Sequence, residues 1–450
     1  MTAVRSPAVL RTVAVLIASV GGLLFGYGTG VIAGVLPQVT DTFGLSSWTQ
    51  GAAVSAALVG AALTAPTSGR LADRFGRRAV IASAAALYLA GTLASTAATG
   101  TFSLLTGRFL VGLALGATSF AVPLYISEIA PPARRGALVT LNQLMITIGL
   151  LLSYVVAYAL EPQGNWRGTF AVATVPALLV LVGMALVPES PDWLSSRGRA
   201  DSAARAAARL GLAAPEATDS ADTRTPGLRR ACELAGRRWV VLGLTISVLV
   251  HLTGLNTAIY YAPTILASSG LTASGGIAGS VLVGLCNVLA TVVTIVFLDR
   301  WGRRPLMLGG LAVMAVAAVA IAVVQARGLD GVATALLLCV FITAGAVGPA
   351  AVFWVYIAEI YPARVRGALM SLATAAHWAA DFVVATTFLP LVAELSLAGA
   401  FTLYAAITLA SALALGIWMP ETRGRDLNAT SPSPAARRPV SIPSTPTPED

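Results

Sequence analysis

Tyr125-Ile-Ser-Glu128-Ile-Ala-Pro-Pro-Ala-Arg134-Arg135-Gly136-Ala-Leu recurs 231 residues later as Tyr356-Ile-Ala-Glu359-Ile-Tyr-Pro-Ala-Arg364-Val-Arg366-Gly367-Ala-Leu. Asp73-Arg-Phe-Gly-Arg-Arg78 returns as Asp299-Arg-Trp-Gly-Arg-Arg304 at an offset of 226, and Pro188-Glu-Ser190 as Pro420-Glu-Thr422 at 232. Three unrelated words in one order at nearly one offset make the chain a tandem of two equivalent halves.

What fills those halves is apolar. Of the 450 residues 56% are hydrophobic and 11% charged, with mean hydropathy +0.80, whereas a soluble protein is about 25% charged. The apolar residues gather into runs of about 20, the length that spans a hydrocarbon core. They lie near 13–36, 50–69, 79–98, 103–126, 137–160, 168–188, 239–263, 274–298, 305–325, 331–358, 367–391 and 397–419. Barrel strands would be half as long and would alternate in polarity. The first run is too long and too glycine-patterned for a cleaved signal, and stands as helix one. The expected fold is therefore an all-α integral membrane protein of twelve helices, in two six-helix pseudo-symmetric bundles of parallel orientation. The bundles occupy 1–188 and 239–424. Between them 189–238 is Ala/Arg-rich and reads as short amphipathic helices on the membrane surface, and 425–450 turns to Ser, Pro and Thr, a composition of disorder.

The net charge of +9 is topology and not a nucleic-acid footprint. All 29 basic residues are arginine, and 26 lie in the N-terminal segment, the even-numbered connections or the tail. Only Arg167 and Arg327 lie on the other side, and Arg108 falls inside helix four. This asymmetry places both termini in the cytoplasm. Cys232, Cys286 and Cys339 match no metal or disulfide spacing, and no nucleophile triad or phosphate loop is present. Neither enzyme chemistry, a cofactor nor a metal is expected.

These words resemble those of the major facilitator superfamily, and within it the sugar porter family. Gly69-Arg-Leu-Ala-Asp73-Arg74-Phe-Gly76-Arg77-Arg78 is similar to the superfamily's loop 2–3 motif. Arg108, Gly112, Gly116, Pro123-Leu-Tyr125 and Glu128 resemble the sugar porters' helix-four motif, and Pro188-Glu-Ser-Pro191-Asp192-Trp193 and Pro420-Glu-Thr-Arg-Gly424 their end-of-half motifs. The resemblance implies a transporter, working as a monomer in the cell membrane, whose partners are a monosaccharide or related polyol and the lipid bilayer, with protons as a candidate further partner. It puts solute contacts at Phe25, Gln143, Asn256, Asn287, Trp354 and Trp378, and an external gate at Tyr260 and Tyr261. His251 and His377, the only histidines, stand where the family carries amides, and join the solute-site candidates. The Gly348-Pro349 pair lies farther from Trp354 than the family's pattern has it.

A cytoplasmic latch between the bundles is expected of Glu128, Glu189, Glu359 and Glu421 with Arg74, Arg135, Arg303 and Arg366. For the driving force, proton-coupled relatives carry Asp after Phe-Gly-Tyr on helix one, opposite the helix-four arginine; here the word is Phe25-Gly26-Tyr27-Gly28. Facilitated diffusion is the expectation. Asp381, one turn beyond His377 and thus on one helix face, supplies the alternative, a proton-carrying pair with His377. Asp381 is also a candidate for a solute hydroxyl. A drug exporter of the superfamily is a more distant reading, because such proteins carry a Gly-Pro-Gly word on helix five and 136–160 has no proline.

Overall fold

A computed structural model describes residues 6–131, 134–213, 228–328, 331–362 and 365–423. Arg364, the middle of the expected linker and the tail 425–450 lie outside the described residues. The first half comprises α1 (Pro7–Phe43), α2 (Ser47–Phe75), α3 (Arg77–Thr96), α4 (Thr101–Ile129), α5 (Arg135–Leu160) and α6 (Trp166–Leu186). The second begins with α7 (Arg237–Tyr260), α8 (Ala273–Trp301), α9 (Arg303–Ala326) and α10 (Gly331–Ile360). The last helix runs 53 residues, Arg366–Trp418. At 1.5 Å per residue that is about 80 Å, far more than one crossing needs. Ser396, at φ 67° and ψ 169°, breaks it into two passes, α11 (366–395) and α12 (397–418). The twelve expected helices are thus present, and no strand occurs among the described residues.

Close packing inside a half follows from glycine. A Cβ on Gly26 of α1 would overlap the carbonyl of Ile146 on α5, and one on Gly112 of α4 would overlap that of Ala57 on α2. Lipid gives helices no hydrophobic reason to associate, so small residues that let backbones meet carry the packing. On α8 the polar Ser280, Asn287, Thr291 and Thr294 are buried, while Leu282, Leu285, Leu289, Val292 and Val296 face outward. That inside-out pattern is the signature of a helix in lipid.

The halves meet along α2 with α11 and α5 with α8, tied at the arginine-poor end. Thr386 Oγ1 donates to Ser55 Oγ at 2.8 Å, Tyr154 OH to the Ile259 carbonyl at 2.6 Å, and Ser274 Oγ to Glu161 at 2.9 Å. At the arginine-rich end the ion pairs Arg77–Asp73, Arg77–Glu128 and Arg303–Glu359 and the carboxylate–backbone bonds of Glu189 and Glu421 each stay within one half, and Gln143 of α5 is exposed. One end is closed and the other open.

Replacing Gly26 by Ala should separate α1 from α5 and cost about 1–3 kcal/mol, read as a lower thermal unfolding midpoint of the purified protein. An unchanged midpoint would contradict the packing described.

Candidate solute site

Midway through the second half two helices lose their regular form. α7 is interrupted at Thr253-Gly254, where Gly254 takes φ 79°, and resumes at Leu255. α10 carries a wide π turn at Ala346–Ala350 that includes Pro349, which accommodates the long spacing from Gly348-Pro349 to Trp354. Non-helical backbone at membrane depth is tolerated where protein or a cavity satisfies it, and such breaks often mark function.

The α7 break lets side chains from both its arms converge on Asp381 of α11. His251 Nδ1 lies 3.1 Å from Asp381 Oδ1. From beyond the break, Tyr260 OH donates to Oδ2 at 2.9 Å and Asn256 Nδ2 at 3.2 Å. The side chains of His251 and Asp381 are each 1% exposed. A buried carboxylate accepts nearby N–H groups, so Nδ1 carries the proton of the neutral ring and Nε2 is left free.

Aromatic rings extend this cluster. His377 packs edge-on to His251 with centroids 4.0 Å apart and stacks on Phe353 at 4.5 Å. Trp354 lies 5.1 Å from His377 and is 37% exposed. Trp378 meets Phe25 of the opposite half at 5.8 Å. His251 Nε2, His377 Nδ1 and Trp378 Nε1 are buried without a hydrogen-bond partner, as is Asn142 Oδ1 on α5. Buried polar atoms are rarely left so. His251, His377 and Trp378 bring unpartnered nitrogens together with aromatic rings, polar groups and apolar faces suited to a hydroxylated ring compound.

Of the residues singled out on the sequence, Phe25, His251, Asn256, Tyr260, Trp354, His377, Trp378 and Asp381 come together. Gln143 is exposed on α5 and Asn287 buried on α8, neither joined to the cluster by a hydrogen bond or ring contact among the described residues. The expected His377–Asp381 pair is corrected. Sharing a helix face put them near one another, but the carboxylate turns to α7 and its imidazole partner is His251. Tyr260, expected at an external gate with Tyr261, is also bonded to Asp381; Tyr261 is fully buried, with its OH on the Ala385 carbonyl at 2.7 Å. Sequence reasoning passed over Phe353, adjacent to Trp354, which it chose.

Arg108 is 1% exposed. Its guanidinium donates to the backbone carbonyl of Gly28, so a main-chain oxygen occupies the role of the missing carboxylate. A Cβ on Gly28 would come within 2.9 Å of the Tyr88 hydroxyl.

The expected latch belongs to the arrangement in which the cytoplasmic ends close together, and here its acids are engaged elsewhere. Glu128 is held by Arg77, at 2.9 Å, and Glu359 by Arg303, at 2.7 Å, each pair inside one half. Glu189 accepts the backbone N–H groups of Arg77 and Arg78, and Glu421 those of Arg303 and Arg304. Arg74 lies over the Phe75 ring, Arg135 is exposed, and Arg366 donates to the carbonyl of Tyr361. With this end open, the expected partners across the seam are apart, and each acid is taken by the first turn of a helix in its own half. Burial raises the Glu421 carboxyl, but four backbone N–H bonds outweigh it and hold the group below its usual range.

The model of the family described as "Sugar (and other) transporter" matches residues 14–432. The chain is 38% identical over 422 residues to the galactose-proton symporter of Escherichia coli (strain K12), covering 90% of each. It is 34% identical over 441 residues to the major myo-inositol transporter IolT of Bacillus subtilis (strain 168), covering 93% of each. It is similar to a solved structure described as the partially occluded inward open conformation of the xylose transporter XylE from E. coli. That match has TM-score 0.81 and 28% identity, over 93% of this chain and 100% of that one.

Arg77→Ala should leave Glu128 buried and unpaired and destabilise the protein by about 3 kcal/mol, while Arg74→Ala leaves the unfolding midpoint nearly unchanged. Equal effects would restore the latch as first drawn. Glu421 contributes stability that is complete above the unfolded carboxylate pKa and lost as pH falls through its lower folded value. Glu421→Gln should therefore lower the unfolding midpoint at pH 7, and the difference should vanish in acid.

Proposed function

From the chain's membership of the sugar transporter family, which makes it a multi-pass membrane transporter and not an enzyme, we propose that it carries a monosaccharide or related polyol by alternating access. The observation that carries the substrate class is the set of unpartnered nitrogens, His251 Nε2, His377 Nδ1 and Trp378 Nε1, beside the Phe25 and Trp378 rings. A sugar offers hydroxyls that donate and accept, and a ring face for an aromatic wall. The names of similar proteins, a galactose-proton symporter and a myo-inositol transporter, support the same class.

The arginine-rich end faces the cytoplasm by the positive-inside rule, with both termini there and the carrier a monomer in a bacterial plasma membrane. In that frame the structure is inward-facing. The Arg108–Gly28 contact supports facilitated diffusion so far as the first half is concerned, because a backbone carbonyl cannot hold a proton in the cycle.

The first test is uptake of labelled D-galactose, D-xylose and myo-inositol into proteoliposomes. Saturable uptake of one or more is expected; uptake of none of them while a non-hydroxylated solute is carried would overturn the substrate class. Trp378→Phe keeps the ring but removes the N–H, and should raise KM about tenfold, the worth of one hydrogen bond of roughly 1.4 kcal/mol. Oxidising a Ser55→Cys, Thr386→Cys pair should hold the closed end shut and stop transport, with recovery on reduction. Persistent transport in the cross-linked protein would argue against alternating access at that seam.

A further inference from the structure

We propose that the His251–Asp381 pair is a proton-binding site in the second half, and that its proton crosses the membrane with the solute. The proposal rests on the carrier reading above and replaces its passive form with symport.

The geometry ties this pair to the outer gate. Asp381 is bonded on one side of the α7 break to His251, and on the other to Asn256 and Tyr260. One carboxylate thus fastens both arms of a broken helix to α11. The outer arm also carries Ile259, whose carbonyl accepts from Tyr154 of the opposite half. When the outer arm swings away, Asp381 loses two of its three donors, and outside water reaches the pair, where His251 Nε2 takes the proton. When the arm returns, the group is sealed from water on that side.

Charge decides what that closure requires. A carboxylate buried near mid-membrane with neutral donors alone is a net charge in a low-dielectric setting, whereas an imidazolium–carboxylate pair is neutral overall. The neutral His251 ring has its free acceptor, Nε2, buried and without a partner. A proton on that nitrogen completes the neutral pair. Against the pair stand His377 of α11 and Tyr260 of α7, and Tyr260 in turn has Tyr154 of α5 and Arg108 of α4 as its charged or titratable neighbours. Among these described neighbours Arg108 is the one with a fixed charge, and it is positive, so none of them is a second acid that competes for the proton.

The exit is also in place. The His377 ring lies 4.0 Å from His251, its Nδ1 is unpartnered, and it touches Trp354, which is 37% exposed. A proton leaving His251 Nε2 passes toward His377 and the cavity, restoring the neutral imidazole. No oxidant or co-reactant is involved; one proton enters from outside and one leaves inside.

The test uses full-length protein in proteoliposomes loaded with a pH-sensitive dye, given D-galactose, D-xylose and myo-inositol in turn. The expected result is solute-dependent acidification of the lumen. An inward gradient of one pH unit should then drive about tenfold accumulation at one proton per solute. Asp381→Asn and His251→Gln should each abolish the solute-dependent proton signal and flatten the pH profile of whatever exchange remains. A merely structural role would lower the rate without flattening the profile. Exchange of a solute by the wild-type protein with no proton movement overturns this inference and leaves the carrier reading intact. Proton movement that survives in both variants overturns the assignment to this pair. Exchange of no solute in the panel counts against the substrate class itself.

Discussion

A polar group in the middle of a bilayer has no water to fall back on, so each must find its partner in protein. That requirement organises this molecule. Arg108 and Asp381 are each 1% exposed, and they are satisfied in opposite ways. The arginine takes a main-chain carbonyl, which Gly28 offers on α1. The carboxylate collects three side-chain donors, which no unbroken helix face could bring to it from one strand of sequence. The interruption of α7 at Gly254 turns His251 and the Asn256–Tyr260 arm onto the same carboxylate. The broken helix and the buried acid explain each other.

The repeated words that announce the two halves turn out to meet physically. In the first half Arg77 binds Glu128, Glu189 accepts from the first N–H groups of α3, and Tyr125 OH donates to the Pro188 carbonyl at 2.7 Å. In the second, Arg303 binds Glu359, Glu421 accepts from the start of α9, and Tyr356 OH reaches the Pro420 carbonyl at 3.1 Å. Carboxylates at helix N-termini also meet the positive end of the helix dipole. All three words of each half therefore form one charged hub that fixes α3, α4 and the chain after α6, or their counterparts. Such hubs keep each half rigid while the halves rock.

The fold was legible because its causes are local: run length and glycine spacing are properties of contiguous sequence. The site was legible only in part. Resemblance chose His251, His377 and Asp381 correctly as neighbours, but which imidazole faces the carboxylate depends on the rotation of α7 at its break, and no spacing on α11 encodes that. The partners that the latch acids take in this arrangement were not legible for a similar reason. Arg74 and Arg77 are neighbours in one charged word, and only the packing of α3 against α4 decides that Arg77, at its first turn, reaches Glu128. The wide turn of α10 did leave a trace, in the long spacing before Trp354.

The strength of the seam between the halves fits a carrier better than a static fold. Three side-chain hydrogen bonds hold the closed end, each worth about 1 kcal/mol net, and close contacts such as Gly51 against the Thr386 backbone add dispersion. A protein that must populate two arrangements can differ between them by only a few kcal/mol, or the minor state would vanish from the cycle. The ion pairs Arg77–Glu128 and Arg303–Glu359 are kept inside the halves, while the closed end is tied by hydroxyl donors to a hydroxyl, a carbonyl and the Glu161 carboxylate. Asp381 is the exception. It lies within one half yet fastens the arm of α7 whose Ile259 carbonyl meets Tyr154 of the other half, so a buried acid is placed one step from the seam.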